Sequence, residues 1–285
     1  MERHCYFESD GARLLAALHV PDEGFPRLPL GLVYLHGWAG YRIGPHQMFI
    51  KMARRAEAMG FCSLRFDFRG RGDSEGVTQD TTLTTMIADA VAATQFMLAE
   101  TGLERVALIG DCSGSEVALG AGPLDEAIAA MVLWSAPIVA GDRRGSDSAK
   151  KRQIWLTYLR KVFRQETWQK LLSGGLQVGQ IRRALGSGGK GAGEEGAAVD
   201  AAIDWYQRFL DFAGERLFIY GGNDPTTAAS VEHYEMLCRR ADKPFNSYLV
   251  AGANHAFYSL AWENEVIGQS LEWLAEQAAA PASDT

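Results

Sequence analysis

Apolar residues along this chain fall into two alternating patterns. Short runs rich in Val, Leu, Ile, Phe and Tyr occupy residues 4–8, 13–20, 32–36, 62–67, 106–110, 131–135, 217–220 and 246–250. Their density predicts strands buried on both faces. Between them, apolar residues recur every three or four positions over 46–59, 82–101, 112–121, 228–241 and 262–278, which predicts amphipathic helices. Strands alternating with helices predict an α/β protein with a mostly parallel, doubly wound, eight-stranded sheet. The first two strands are joined by Ser9-Asp10-Gly11, a turn short enough to predict an antiparallel hairpin at the sheet edge.

Between Pro137 and Gly214 the rhythm changes to helical spacing without a strand. Helices are expected near 149–163, 167–172, 178–185 and 197–212, with a glycine-rich run at 186–193 reading as a flexible loop. The expected organisation is a core of residues 1–137 and 214–285, with a helical cap, or lid, inserted at 138–213. No internal repeat is visible.

One segment carries candidate chemistry. Val106-Ala107-Leu108-Ile109-Gly110-Asp111-Cys112-Ser113-Gly114-Ser115 runs from an apolar strand through a tight turn straight into a helix. This is the setting of a nucleophile elbow, in which small residues two before and two after the nucleophile let strand and helix cross closely. Gly110 and Gly114 bracket Cys112 in that way. Placing the nucleophile at Ser113 would require a small residue at Asp111, and placing it at Ser115 would require one at Val117. Cys112 is therefore the expected nucleophile, with the positive end of the following helix close to its sulfur.

A histidine base is expected from His255, in the loop after the last strand. There it would stand over the strand ends from which Cys112 emerges. Asp224, in the turn after the seventh strand, is the expected acid that orients His255, with Asp142 as the fallback. The chain order of nucleophile, acid and histidine is that of α/β-hydrolases. The segment His36-Gly37-Trp38-Ala39-Gly40 ends the third strand. The Trp38 and Ser113 N–H groups are expected to form the oxyanion hole. His36 and Gly37 are expected at the substrate-binding face, with His36 orienting the loop rather than acting as a base. Asp67-Phe68-Arg69-Gly70-Arg71-Gly72-Asp73-Ser74 resembles the D-x-R-G-x-G-x-S loop of many such hydrolases, where its role is mainly structural.

These segments, from about residue 30 to 274, resemble the α/β-hydrolase superfamily. The stretches Trp155-Leu156-Thr157-Tyr158-Leu159-Arg160, Thr167-Trp168-Gln169-Lys170-Leu171-Leu172 and Asn254-His255-Ala256-Phe257-Tyr258-Ser259 are similar to the exosortase A system-associated hydrolase 1 family. That resemblance implies a cysteine at the elbow and a setting beside exopolysaccharide and protein-sorting functions. The residue after Cys112 is Ser113, where that family's pattern has an acidic residue. Dienelactone hydrolases also use an elbow cysteine, without a cap of this kind.

Whole-chain properties narrow the function classes. The 285 residues carry a formal net charge of −7, which argues against nucleic acid as a partner. The four cysteines form no CxxC pair, so neither a disulfide framework nor a zinc site is expected. No cofactor is expected. No apolar signal-peptide core and no membrane span is seen, and a cytoplasmic setting is expected. Twelve basic and three acidic residues between Gly141 and Lys190 give that segment a charge of 12 − 3 = +9. Such a patch suits an anionic substrate, carried by an acyl-carrier protein or coenzyme A. The expected function is an acyl-transfer hydrolase (a thioesterase, an esterase or an acyltransferase) that acts through an acyl-thioester on Cys112. The alternative is a non-catalytic binding protein that keeps the pocket.

Overall fold

The computed structural model describes residues 1–139 and 203–280. Eight strands form one sheet: β1 (Glu2–Ser9), β2 (Ala12–His19), β3 (Gly31–Leu35), β4 (Ser63–Phe66), β5 (Val106–Asp111), β6 (Ile128–Trp134), β7 (Glu215–Gly221) and β8 (Asn246–Val250). Their spatial order is β1-β2-β4-β3-β5-β6-β7-β8. The hairpin β1–β2 is antiparallel, as its short turn requires, and β2 also meets β4 antiparallel. All later pairings are parallel. The order reverses direction at β3 and β5, so their carboxyl ends open a crevice where ligands of such sheets bind.

Helices cover both faces: α1 (Met48–Ala58), α2 (Leu83–Thr101), α3 (Ser113–Ala121), α4 (Trp205–Asp211), α5 (Thr227–Arg240) and α6 (Leu260–Ala279). Because side chains alternate along a strand, each central strand feeds two cores. Val33, Leu35, Leu108 and Leu133 pack with α2, α3, α4 and α5. Leu32, Tyr34, Ile109, Val132 and Trp134 pack with α1 and α6. This double burial explains why the central strands read as continuous apolar runs rather than alternating ones. Helix ends carry the expected local signals. Thr82 and Thr85 form a reciprocal capping box at α2, and Gly102 closes that helix in the left-handed region at φ 71°.

Most of the segment expected as a cap, with its helices, its glycine-rich loop, its basic residues and Asp142, lies outside the described residues. Its C-terminal end is described. There Trp205 and Phe209 of α4, with Phe212 just beyond, are buried in the core beside α3. No helix among the described residues is long and apolar enough to cross a membrane.

Candidate active site

Strand β5 ends at Asp111 and α3 begins at Ser113, leaving Cys112 alone between them at φ 52°, ψ −117°. This backbone state is costly for a residue with a Cβ and persists only where its surroundings impose it. Here the surroundings are two close approaches. A Cβ on Gly110 would lie 2.6 Å from the backbone of Gly114, and one on Gly114 would lie 2.0 Å from the Leu35 carbonyl oxygen. The Cys112 N–H donates to the Trp134 carbonyl at 2.9 Å, tying the elbow to β6. Ser115, one of the rejected alternatives, is fully buried, and its hydroxyl donates to the Gly110 carbonyl at 3.0 Å.

The close approach makes a stability test. Gly114→Ala is expected to cost about 3 kcal/mol or more, the upper end for overpacking, because the obstacle is backbone and cannot rotate away. Gly268→Ala in α6, whose Cβ would meet only the Arg55 guanidinium at 3.8 Å, is expected to be neutral or stabilising by up to about 1 kcal/mol. Urea unfolding of both variants checks the contrast; equal effects would mean that the elbow is not tight.

The loop after β8 brings His255 to the same edge. Its Nδ1 lies 2.7 Å from Asp224 Oδ2, and the Cys112 thiol is the second group that acts on the ring. The hydrogen bond that the ring donates to Asp224, and then its interaction with Cys112, outweigh partial burial and hold the imidazole far above its ordinary range, at about 10. Asp224 is 7% exposed. Although burial opposes its ionisation, hydrogen bonds from His255 and from the Thr226 N–H and hydroxyl hold its carboxyl below the usual value. The turn carrying Asp224 is pinned to the histidine loop, since the Asn223 N–H donates to the Ala253 carbonyl at 2.8 Å.

The loop after β3 completes the arrangement. Gly37 lies against the elbow: a Cβ on it would meet the Cys112 Cβ at 3.6 Å. Trp38 follows, 44% exposed, and its N–H donates to Ser113 Oγ at 2.6 Å. The two residues expected to supply the oxyanion N–H groups are thus neighbours. The Trp38 donor, however, is already satisfied by a side chain that was not expected there. His36, expected at the substrate-binding face as the residue that orients the loop, is fully buried. Its Nε2 accepts the Phe68 N–H at 3.3 Å and its Nδ1 donates to the Gly37 carbonyl at 2.8 Å. Burial pushes its pKa down to about 4, so it stays neutral and holds the loop in place.

Two neighbours of the site have roles the sequence reading did not assign. The Ser135 hydroxyl, just beyond β6, donates to the His255 carbonyl at 2.8 Å and so fixes the histidine backbone. A lone serine after a strand carries no signal of this. Asp111 has no hydrogen-bond donor among the described residues. Desolvation raises its carboxyl to about 6, with nearby His255 opposing. A carboxyl whose folded pKa is raised loses stability as pH climbs from its unfolded value of about 4 to about 6, and the loss is complete above that. Asp111→Asn is therefore expected to raise Tm by about 2–4 °C at pH 7.5 and by nothing near pH 3.5. A Tm gain independent of pH would show that the carboxyl is not strained in this way.

The remaining cysteines differ from Cys112. Cys62 and Cys238 are buried and Cys5 is half-buried, and burial pushes each thiol up, as for small apolar core residues. Among the described residues no group of three or more His, Cys, Asp or Glu is placed to hold a metal ion.

Comparison with known proteins agrees with this architecture. Residues 32–260 match the alpha/beta hydrolase fold family. A 90-residue stretch is 37% identical to human Protein ABHD12B, covering 32% of this chain and 24% of that protein. Among solved structures, Est1E from Butyrivibrio proteoclasticus with bound ferulic acid superposes with a TM-score of 0.67 at 17% identity, over 97% of this chain and 100% of that one. The alpha/beta hydrolase GrgF from Penicillium sp. sh18 gives 0.68 at 17% identity, over 98% and 100%.

Proposed function

Because the chain belongs to the alpha/beta hydrolase fold family, we propose that it is an acyl-transfer hydrolase whose nucleophile is Cys112, with His255 and Asp224 completing the triad. The observation that carries this reading is the relay itself. Asp224 Oδ2 stands 2.7 Å from His255 Nδ1, and the same ring responds to the thiol of Cys112, a residue held at φ 52°. With His255 raised to about 10, the imidazole is protonated at neutral pH and is the group proposed to hold the proton that Cys112 gives up. Asp224 stabilises the charge this creates.

In the proposed reaction, Cys112 Sγ attacks the carbonyl carbon of an ester or thioester, and the carbonyl electrons move to oxygen. The N–H groups of Trp38 and Ser113 receive that oxyanion, which displaces the Ser113 hydroxyl from the Trp38 donor. The tetrahedral centre collapses, His255 gives its proton to the departing alkoxide or thiolate, and a thioester remains on Cys112. Water, or an amine or alcohol acceptor, then attacks the thioester while His255 takes its proton, and sulfur leaves. The +9 charge of residues 141–190 favours a thioester delivered by a carrier protein or coenzyme A.

The test is direct observation of the intermediate. Incubation with a 4-nitrophenyl ester followed by rapid acid quench and intact mass spectrometry is expected to show one acyl group, located at Cys112 by peptide mapping. Burst release of nitrophenol without a Cys112 adduct, or acylation of Ser113 instead, would overturn the assignment.

A further inference from the structure

Among the described residues the buried and half-buried arginines have hydrogen-bonded partners, with one exception. Arg42 holds Asp67 and Asp73, Arg65 holds Glu2, and Arg69 holds Asp89. Arg216 donates to the Phe209 and Phe212 carbonyls. Arg71 is half-buried, yet no carboxylate or carbonyl takes its guanidinium among the described residues, and its Nε is buried without a hydrogen-bond partner. Its own loop is rich in carboxylates, but these are already engaged. Asp67 accepts the Arg42 N–H and the Asp73 N–H, and both Asp67 and Asp73 take the Arg42 guanidinium. Arg27 and Arg240, which also lack a carboxylate, are exposed, and water solvates them. Arg71 is less exposed than these and has no carboxylate or carbonyl partner among the described residues, so its guanidinium is available to something that binds.

Its position says what that is. The guanidinium carbon lies 5.2 Å from the centre of the Trp38 ring. Trp38 is the residue whose N–H lies beside the elbow. The indole face attracts the cation without neutralising it, and the planar donor fork can still take a bidentate anion. Resting on the hydrolase reading above, we propose that Arg71, laid on Trp38, forms a subsite for a carboxylate or phosphate that the substrate carries away from its scissile carbonyl.

Four substrates test it in two arms at low ionic strength. 4-Nitrophenyl hydrogen glutarate against 4-nitrophenyl butyrate places the anion on the acyl side. Butyryl-coenzyme A against S-butyryl-N-acetylcysteamine places it on the thiol side. The readout is the ratio of kcat/KM for the anionic member to that for the neutral one. Arg71→Met is expected to lower this ratio about tenfold or more in one arm, with Arg71→Lys between it and the wild type. The affected arm identifies which side carries the anion. A ratio unmoved in both arms overturns the subsite, including the case where a preference persists because the 141–190 segment supplies it. If the wild type turns over none of the four, the hydrolase reading fails, and the subsite is judged by titrating glutarate and coenzyme A into the folded protein. Binding about tenfold weaker in Arg71→Met then supports it, and equal binding or no binding to the wild type overturns it.

Discussion

Cys112→Ala is expected to lower kcat/KM on an activated ester by about ten thousand-fold or more while leaving the fold intact. Both halves follow from the elbow. Alanine keeps a Cβ, so at φ 52° it bears the same backbone strain as cysteine and no more. The side chain is only half-buried, so little packing is lost. The Trp134 hydrogen bond uses the Cys112 backbone and survives. What disappears is the one sulfur that His255 addresses. Cys112→Ser is expected to fall by a hundredfold or more, because the hydroxyl is far less acidic than a thiol and His255 must now remove its proton during attack. Circular dichroism and Tm unchanged within a few degrees, with activity lost, is the expected combination. Wild-type activity in Cys112→Ala sinks the central assignment.

His255→Ala and Asp224→Asn are expected to produce the next largest losses, about ten thousand-fold for the histidine and somewhat less for the aspartate. Their pH dependence is more diagnostic than their size. The folded His255 is raised to about 10 from an ordinary value of 6.5. A raised base contributes stability that is complete below about pH 6.5 and lost as pH rises through 10. The stability difference between wild type and His255→Ala is therefore expected to shrink across that window. Activity should fall in the same range, as the proton needed by the leaving group is lost. Asp224→Asn removes the first cause of the shift, so the alkaline limit of its kcat/KM profile should move down toward the ordinary imidazole range. If Asp224→Asn is silent and Asp142→Asn is not, the acid has been misassigned.

Local physics accounts for much of what could be read in advance. The period of the apolar residues placed all eight strands within three residues of their observed ends, because each central strand is buried on both faces and had to be continuously apolar. The register of the elbow was legible because only glycine tolerates the approaches at positions 110 and 114. That requirement favours Cys112 over Ser113 and Ser115 from the sequence alone. The positions of Asp224 and His255 after successive strands followed from the rule that parallel strands end at one edge, where loops carry chemistry.

What the sequence by itself determined, then, was the set of elements, the α/β class and the turn on which Cys112 must stand, since these depend on residues close together in the chain. The strand order β1-β2-β4-β3-β5-β6-β7-β8, the burial of His36, the Ser113 hydroxyl on the Trp38 N–H and the hold of Ser135 on His255 were decided only in three dimensions. So was the position of Arg71, which has no carboxylate partner among the described residues while Arg42 holds both Asp67 and Asp73. Each of these is a competition among polar groups far apart in sequence for the same partner. Hydrophobic periodicity carries no information about such competition, because it depends on distances and directions set only when the sheet closes its loops over one edge.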